Sequence, residues 1–303
     1  MSAPVLAFDL GGTRLKAGLV HPDEARVEGF TVAPSAPSVR EALDRVEALG
    51  ARLRRDRTLR AVGLCVPGIV GARAVETLPG KLDGIVGIDL IDWLETRFGV
   101  PAVICNDAIA FGTGEAACGA ARGHERAVIV TVGTGIGVSV LQSGAPVTPG
   151  PLGGGLLGGQ IPIDDGTRGP RDSNGKRGTI EALCAGRRIV SLAEGFSSIP
   201  EVYAAAATGD QRATRALDVY RHDLARGLAA LAHAHTPSIV VLGGGPLPPG
   251  NPVLPGLDAL LHEWLWPGYT VTIAAAERGD EAPLLGLAAR ASTAPGLAAR
   301  ATT

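Results

Sequence analysis

Two glycine-bearing segments of one design constrain this chain more than any other feature: Phe8-Asp9-Leu10-Gly11-Gly12-Thr13-Arg14-Leu15-Lys16-Ala17-Gly18 and Val130-Thr131-Val132-Gly133-Thr134-Gly135-Ile136-Gly137-Val138. Each runs apolar strand, Gly/Thr turn, then alternating strand, which predicts a β-hairpin whose tip is bare backbone plus one hydroxyl. Such a tip suits a phosphate. Glycine lets successive N–H groups close on an anion and permits φ > 0, while Thr13 and Thr134 add hydroxyl donors. An ordinary tight hairpin explains either turn alone. The pair, about one domain length apart with Asp9 leading the first, points to two similar halves sharing one nucleotide. A dinucleotide fold needs a helix directly after its glycines, whereas Val138-Ser139-Val140-Leu141 reads as strand. The chain also lacks the G-x-x-x-x-G-K-[ST] pattern of a P-loop.

The 303 residues are enough for two domains, and 46% hydrophobic with 19% charged residues describes a globular chain. A net charge of −2 leaves no electrostatic footprint for nucleic acid. Cys65, Cys105, Cys118 and Cys184 lack C-x-x-C spacing and read as small buried hydrophobes in a reducing compartment. The chain enters an apolar strand by Val5 without a leader-like basic segment, and no apolar run approaches the ~18 residues of a membrane span. A cytoplasmic location with no membrane partner is the expectation.

Ser38-Val39-Arg40-Glu41 is a capping box, and Val39, Leu43, Val46, Leu49 and Leu53 continue a helical stripe through about Arg55. Ala61–Val66 then reads as a buried strand, residues 91–98 as a short helix, and Ala102–Cys105 as a strand ending at Asn106-Asp107. This alternation predicts an α/β domain with a mixed sheet. The pattern restarts at Arg126 with the second hairpin, is interrupted by a glycine-rich stretch from Gly150 to Gly178, and resumes with helices over 180–194 and 211–235. Ser238–Leu242 is a buried strand running into Gly243-Gly244-Gly245, and a helix follows over 282–291. No linker is visible, so the expected boundary is a hinge near 108–112. That gives a first domain over 1–110, completed by a C-terminal helix over about 282–303, and a second over 111–281.

Asp107 ends a strand, where the carboxyl edge of an α/β sheet offers a crevice. A carboxylate there can take the proton of a substrate hydroxyl that attacks a γ-phosphate. Capping of the following helix by Asn106-Asp107 is the plainer reading. Asp9 suits a Mg²⁺, directly or through water, or an Asx-type bond that orders the Gly11-Gly12 turn. Lys16 either faces solvent, pairs locally, or neutralises phosphate charge. Gly243, Gly244 and Gly245 permit flat contact with an adenosine or form a plain strand-to-loop turn.

With these residues in place, the chain resembles the ROK family of sugar kinases, within the actin-like ATPase superfamily. The resemblance rests on Asp9-x-Gly11-Gly12-Thr13-x-x-Lys16, Cys65-Val66-Pro67-Gly68, Asn106-Asp107-Ala108, Gly133-Thr134-Gly135-Ile136-Gly137, Thr179-Ile180-Glu181 and Leu242-Gly243-Gly244-Gly245, six weak motifs in the right order. It implies two RNase H-like domains around a central cleft, with Asp107 as catalytic base and Asn106 and Glu181 on the sugar hydroxyls. It also implies ATP with Mg²⁺ held by the two hairpin turns and Gly243–Gly245, and a homodimer.

Two departures from the family pattern carry expectations of their own. Where many members have the zinc motif C-x-C-G-x-x-G-C-x-E, this chain has Asp172, Asn174 and Thr179 at the thiolate positions, so no zinc is expected. Where the family has G-E-x-G-H, Leu157 stands at the Glu position and Gln160 at the His position. Hydrogen bonds to charged groups are worth about 1.5 to 3 kcal/mol each, so losing two would cost roughly 10² to 10⁴ in affinity for an ordinary hexose. A deoxy or substituted sugar, or a cyclitol, is the expected acceptor. A catalytically degenerate sugar-binding regulator and a polyphosphate-dependent kinase are the rival readings.

Overall fold

The computed structural model describes residues 2–36, 38–78, 82, 84–147 and 157–293. The expected end of the C-terminal helix (294–303) and the first part of the glycine-rich stretch (150–156) lie outside the described residues. The chain divides into two compact units, Met1–Gly123 with Gly144–Gly155 and Glu277–Thr303, and His124–Ser143 with Leu156–Ala276.

The first unit is built on β1 (Val5–Leu10), β2 (Arg14–His21), β3 (Arg26–Pro34), β4 (Ala61–Val66) and β7 (Ala102–Asn106), in the order β3-β2-β1-β4-β7. β1 pairs antiparallel with β2 and parallel with β4, which pairs parallel with β7. Alternation along β1 sorts its side chains to two faces. Leu6, Phe8 and Leu10 join the core under α1 (Val39–Arg54) and α2 (Leu90–Phe98), while Val5 and Ala7 join the one under α3 (Asp107–Cys118) and α9 (Ala282–Thr293). The capping box forms as expected, with Ser38 Oγ accepting from the Glu41 N–H at 3.3 Å. A small ribbon of β5 (Ile69–Val70) and β6 (Val75–Thr77) follows β4, and the two-residue β10 (Ala145–Pro146) belongs to the same unit.

The first unit runs to Gly123 instead of ending near 110, and it takes in 277–281 as well. The cause is the α3–α9 contact. A Cβ at Gly114 would run into the carbonyl of Ala282, and one at Gly286 into the carbonyl of Ala110. The two helices meet backbone to backbone, so α3 cannot leave the sheet that α9 covers.

The second unit repeats the pattern: β8 (Arg126–Val132), β9 (Ile136–Gln142), β11 (Ile239–Gly243) and β12 (Thr272–Ala275), ordered β9-β8-β11-β12. β8 and β9 are the antiparallel hairpin, and β11 lies parallel to both β8 and β12. The helical stretch after 180 is two short helices, α4 (Ile180–Cys184) and α5 (Arg187–Leu192), followed by α6 (Ile199–Ala207). The long α7 (Gln211–His235) packs Leu217, Tyr220, Leu224, Leu228 and Leu231 into the core of this unit, and α8 (Leu257–His262) completes it. Each unit therefore places a glycine turn at the tip of its antiparallel hairpin, beside the carboxyl ends of its parallel strands. Among the described residues, no helix is long and apolar enough to cross a membrane.

Candidate active site

In the first unit the strand register sets out one row of side chains: Asp9 on β1 pairs with Cys65 on β4, and Cys65 with Cys105 on β7. Asn106 and Asp107 lie just beyond Cys105, where β7 ends and α3 begins. The carboxylate of Asp9 is 7% exposed and engaged at both oxygens: Oδ1 accepts from the Cys65 thiol at 3.4 Å and Oδ2 lies 3.1 Å from the Lys16 ammonium. It therefore does not order the turn through an Asx bond. The turn is closed by backbone, Gly11 N–H donating to Arg14 O at 2.9 Å and Ser35 N–H to Thr13 O at 2.9 Å.

Lys16 takes the local pairing, with a second carboxylate, Asp280, at 2.9 Å. Burial pulls its pKa down, but Asp9 and Asp280 together outweigh burial and hold it above the ordinary lysine value. Lys16 is thus charged at neutral pH. Burial, reinforced by Asp9, pushes the Cys65 thiol well up, and burial takes Cys105 to about 12. Neither thiol is a nucleophile near neutrality.

Asn106 caps α3: its Oδ1 accepts from Ala108 N–H at 2.9 Å and Ile109 N–H at 3.2 Å, and its Nδ2 donates to Gly68 O at 2.9 Å. One amide proton is left for a ligand by that count. The half-buried Asp107 is the first residue of α3 and accepts from the Ala108 N–H at 2.9 Å through Oδ1. The capping reading therefore holds for Asn106.

In the second unit Gly133 N–H donates to Gly135 O at 2.9 Å, closing the turn, with Thr134 exposed at its tip. The expected positive φ is absent from Gly11, Gly12, Gly133 and Gly135; among the glycines assigned to the nucleotide, Gly244 alone has it, at +105°. Space accounts for glycine at Gly135 and Gly244, while a Cβ at Gly133 would meet nothing nearer than Gly135 O at 3.9 Å. A Cβ at Gly135 would lie 2.6 Å from Glu181 Oε2, and one at Gly244 would run into the Val132 carbonyl at the end of β8. The strand-end glycines thus press on the strand that feeds the turn.

Glu181, on α4, is buried and takes the Ser173 N–H at 2.7 Å and the Ile136 N–H at 3.3 Å. Arg187 adds a parallel tie, its guanidinium donating to Thr134 O and to Arg171 O, each at 2.9 Å. The start of the loop around 171–178 is thus tied to the Gly133–Gly135 turn through Arg171 and Ser173. Gln160 ends a short 3₁₀ turn packed on β9, where a Cβ at Gly159 would sit 2.8 Å from Ile136 O. Leu157, just before it, is 55% exposed.

The three former thiolate positions form a hydrogen-bonded knot. Asp172, 7% exposed, accepts from Asn174 N–H at 2.9 Å and Lys176 N–H at 2.8 Å through Oδ1, and from Thr179 Oγ at 2.8 Å through Oδ2. Thr179 in turn caps α4 at the Ala182 N–H. An oxygen set already filled by three donors, with no thiolate or imidazole, does not fit a zinc ion. Asp172→Ala should leave three donors orphaned and ease local opening of 172–179 by about 2 kcal/mol, a roughly 30-fold faster amide exchange. Unchanged exchange at Asn174 and Lys176 would show that the knot holds nothing.

The sequence missed Asp280, Glu115 and Arg187. Arg187 and Asp280 are exposed charges with no motif around them. Glu115 carried a signal, a lone acid in the apolar helix Ala108–Cys118, since such a residue is buried only with partners.

Two mixed α/β units, each opening on a glycine-tipped hairpin, define the fold class of the actin-like ATPases. The chain matches the ROK family over residues 5–294 and belongs to it. It is 29% identical over 306 residues to the glucokinase of Thermotoga maritima, covering 94% of this chain and 96% of that protein. With the N-acetylmannosamine kinase of Citrobacter koseri it shares 32% over 248 residues, 79% of this chain and 82% of the relative. Among solved structures, the ROK family glucokinase of Streptomyces griseus in complex with glucose and AMPPNP superposes with a TM-score of 0.83 at 26% identity, covering 96% of this chain and all of that one. Fold and family are those of a carbohydrate kinase.

Proposed function

We propose that this chain transfers the γ-phosphate of ATP to a primary hydroxyl of a hexose or modified sugar, with Asp107 as general base. The observation that carries the reading is the sheet order β1-β4-β7, which sets Asp9 and Asp107 at the same edge of one sheet. In this reading Gly11, Gly12, Thr13, Gly133, Thr134 and Gly135 offer backbone N–H groups and hydroxyls to the phosphates. Gly243–Gly245 borders the adenosine. Asp9 is a hard oxygen donor of the kind Mg²⁺ takes, and because Lys16 already sits on it the contact runs through water. When bound, Mg²⁺ neutralises charge on the phosphate oxygens.

Asp107 orients the acceptor hydroxyl and accepts its proton as the new O–P bond forms and the bond to the β–γ bridging oxygen breaks. A carboxylate is a weak base, so the proton moves late, which a loose transition state tolerates. Asn106 and Glu181 hold hydroxyls of the acceptor, and the Asp172 knot takes the place of a metal in holding Glu181's loop. Leu157 and Gln160 favour an acceptor with an apolar group, or no hydroxyl, where a hexose presents one. Dimerisation and a cytoplasmic location follow from the family resemblance.

A coupled ADP-release assay over glucose, N-acetylmannosamine, deoxysugars and cyclitols, with ATP and polyphosphate as donors, tests this. A deoxy or substituted acceptor is expected to exceed glucose in kcat/KM by about tenfold or more, the size of one lost or gained charged hydrogen bond. Glucose leading by a wide margin would dismiss the role given to Leu157 and Gln160. Polyphosphate outperforming ATP would replace the donor.

A further inference from the structure

Lys16 lies between two carboxylates, and only one of them belongs to the hairpin. Its ammonium is 3.1 Å from Asp9 Oδ2 and 2.9 Å from Asp280 Oδ1, with Arg14 Nη1 at 3.8 Å from the other oxygen of Asp280. Asp9 and Lys16 face each other because they are register partners in the β1–β2 pair. Asp280 comes from far along the chain, in the short 3₁₀ turn Gly279–Glu281 that opens α9.

Although its side chain is half exposed, Asp280 sits on a fixed backbone. The carboxylate of Glu115, fully buried, accepts from Arg278 N–H at 2.8 Å, Glu277 N–H at 3.1 Å and Ala120 N–H at 2.9 Å. The Arg278 guanidinium donates to Ala25 O at 2.7 Å, and the Glu281 N–H donates to Arg278 O at 3.0 Å. Three charge-assisted bonds to one buried carboxylate hold far more firmly than a surface contact. The segment 277–281 is therefore a strap, pinned by Glu115 at one end and presenting Asp280 to Lys16 at the other.

The arrangement has an electrostatic consequence. An ammonium resting on a carboxylate competes with any cation for that carboxylate, and Asp280, whose other oxygen faces Arg14, draws part of the Lys16 ammonium away from Asp9. Resting on the ATP-dependent reading above, we propose that Asp280 is a positioning residue for the phosphate turn: by sharing Lys16 it keeps Asp9 able to take up the Mg²⁺ of the nucleotide. Without it, Lys16 belongs to Asp9 alone and the pair is neutral.

The test is calorimetric titration of AMPPNP, with Mg²⁺ or with EDTA, into the wild type, Asp280→Asn, Lys16→Met and the double variant, so that binding is read without turnover. Asp280→Asn should weaken Mg²⁺–AMPPNP binding roughly threefold to tenfold, the range of one rearranged, partly exposed ion pair. Binding in EDTA should not weaken, because removing a negative charge near the phosphates favours the bare anion. In the Lys16→Met background the substitution should have no weakening effect. Unchanged or tighter Mg²⁺–AMPPNP binding by Asp280→Asn, an equal loss in EDTA, or the same loss without Lys16 overturns the proposal and leaves the kinase reading intact. A wild type that binds no AMPPNP overturns both.

Discussion

Asp107→Asn is expected to lower kcat by roughly 10²- to 10⁴-fold, the range for a lost general base, with the affinities for sugar and nucleotide nearly unchanged. The substitution is nearly isosteric, and the carboxamide oxygen can still accept from the Ala108 N–H, as Asp107 Oδ1 does at 2.9 Å. Helix α3 should therefore start in the same place, held by the Asn106 cap. What is lost is basicity: an amide oxygen does not take a proton near neutral pH. Initial-rate kinetics with separate titrations of sugar and AMPPNP check the split. A variant with near-normal kcat would show that another group receives the proton, and the assignment of Asp107 would fall. A variant that lost sugar affinity along with kcat would instead make Asp107 chiefly a binding residue.

Local chemistry made much of this fold legible. The capping box at Ser38-Glu41, the buried strands and the long amphipathic helix over 211–235 lie where propensity and periodicity put them. The two hairpins were readable because their strands are adjacent in sequence. The boundary between units was not, because it depends on α3 meeting α9 across more than half the chain, through glycines whose partners are backbone carbonyls. Backbone partners leave no sequence signature. For the same reason Glu115, whose three partners are all peptide N–H groups, was invisible as a clamp. Glu181 was singled out by its motif, and its two oxygens take the Ser173 and Ile136 N–H groups, a tie between loops that no spacing rule encodes.

The hairpin-tip glycines were read as letting backbone close on an anion and reach positive φ; the tips do not use positive φ, and Gly135 is the one that lacks room for a Cβ, beside Glu181. Asp9 was expected either to hold a cation or to order its own turn. It is held by Lys16 and Cys65, partners on the neighbouring strands β2 and β4, which the strand register explains and the primary sequence does not.

Gly244→Ala should be the most damaging single-methyl change in the second unit. At φ +105° an L-residue is strained wherever it sits, and here the added Cβ also runs into the Val132 carbonyl, a backbone atom that cannot rotate away. Together these should cost about 3 kcal/mol or more, or some 6 to 12 °C in Tm at about 2 to 4 °C per kcal/mol. The damage should reach the site, because Val132 is the last residue of β8 and pairs with Ile136 on the far side of the Gly133–Gly135 turn. Relief of the clash must move either that turn or the Gly243–Leu247 segment, which is closed by Leu247 N–H donating to Gly244 O at 2.9 Å. Nucleotide affinity should therefore fall by about tenfold or more beyond what stability alone explains. Gly245→Ala is the control, since Gly245 is exposed and has no positive φ. It should stay within about 0.5 kcal/mol of the wild type, as surface changes do. Calorimetric melting and AMPPNP titration on both variants decide the matter. If Gly244→Ala melts with the wild type and binds as tightly, the contact between the strand-end glycines and the phosphate turn is looser than the backbone clash requires, and those glycines have no part in shaping the nucleotide site.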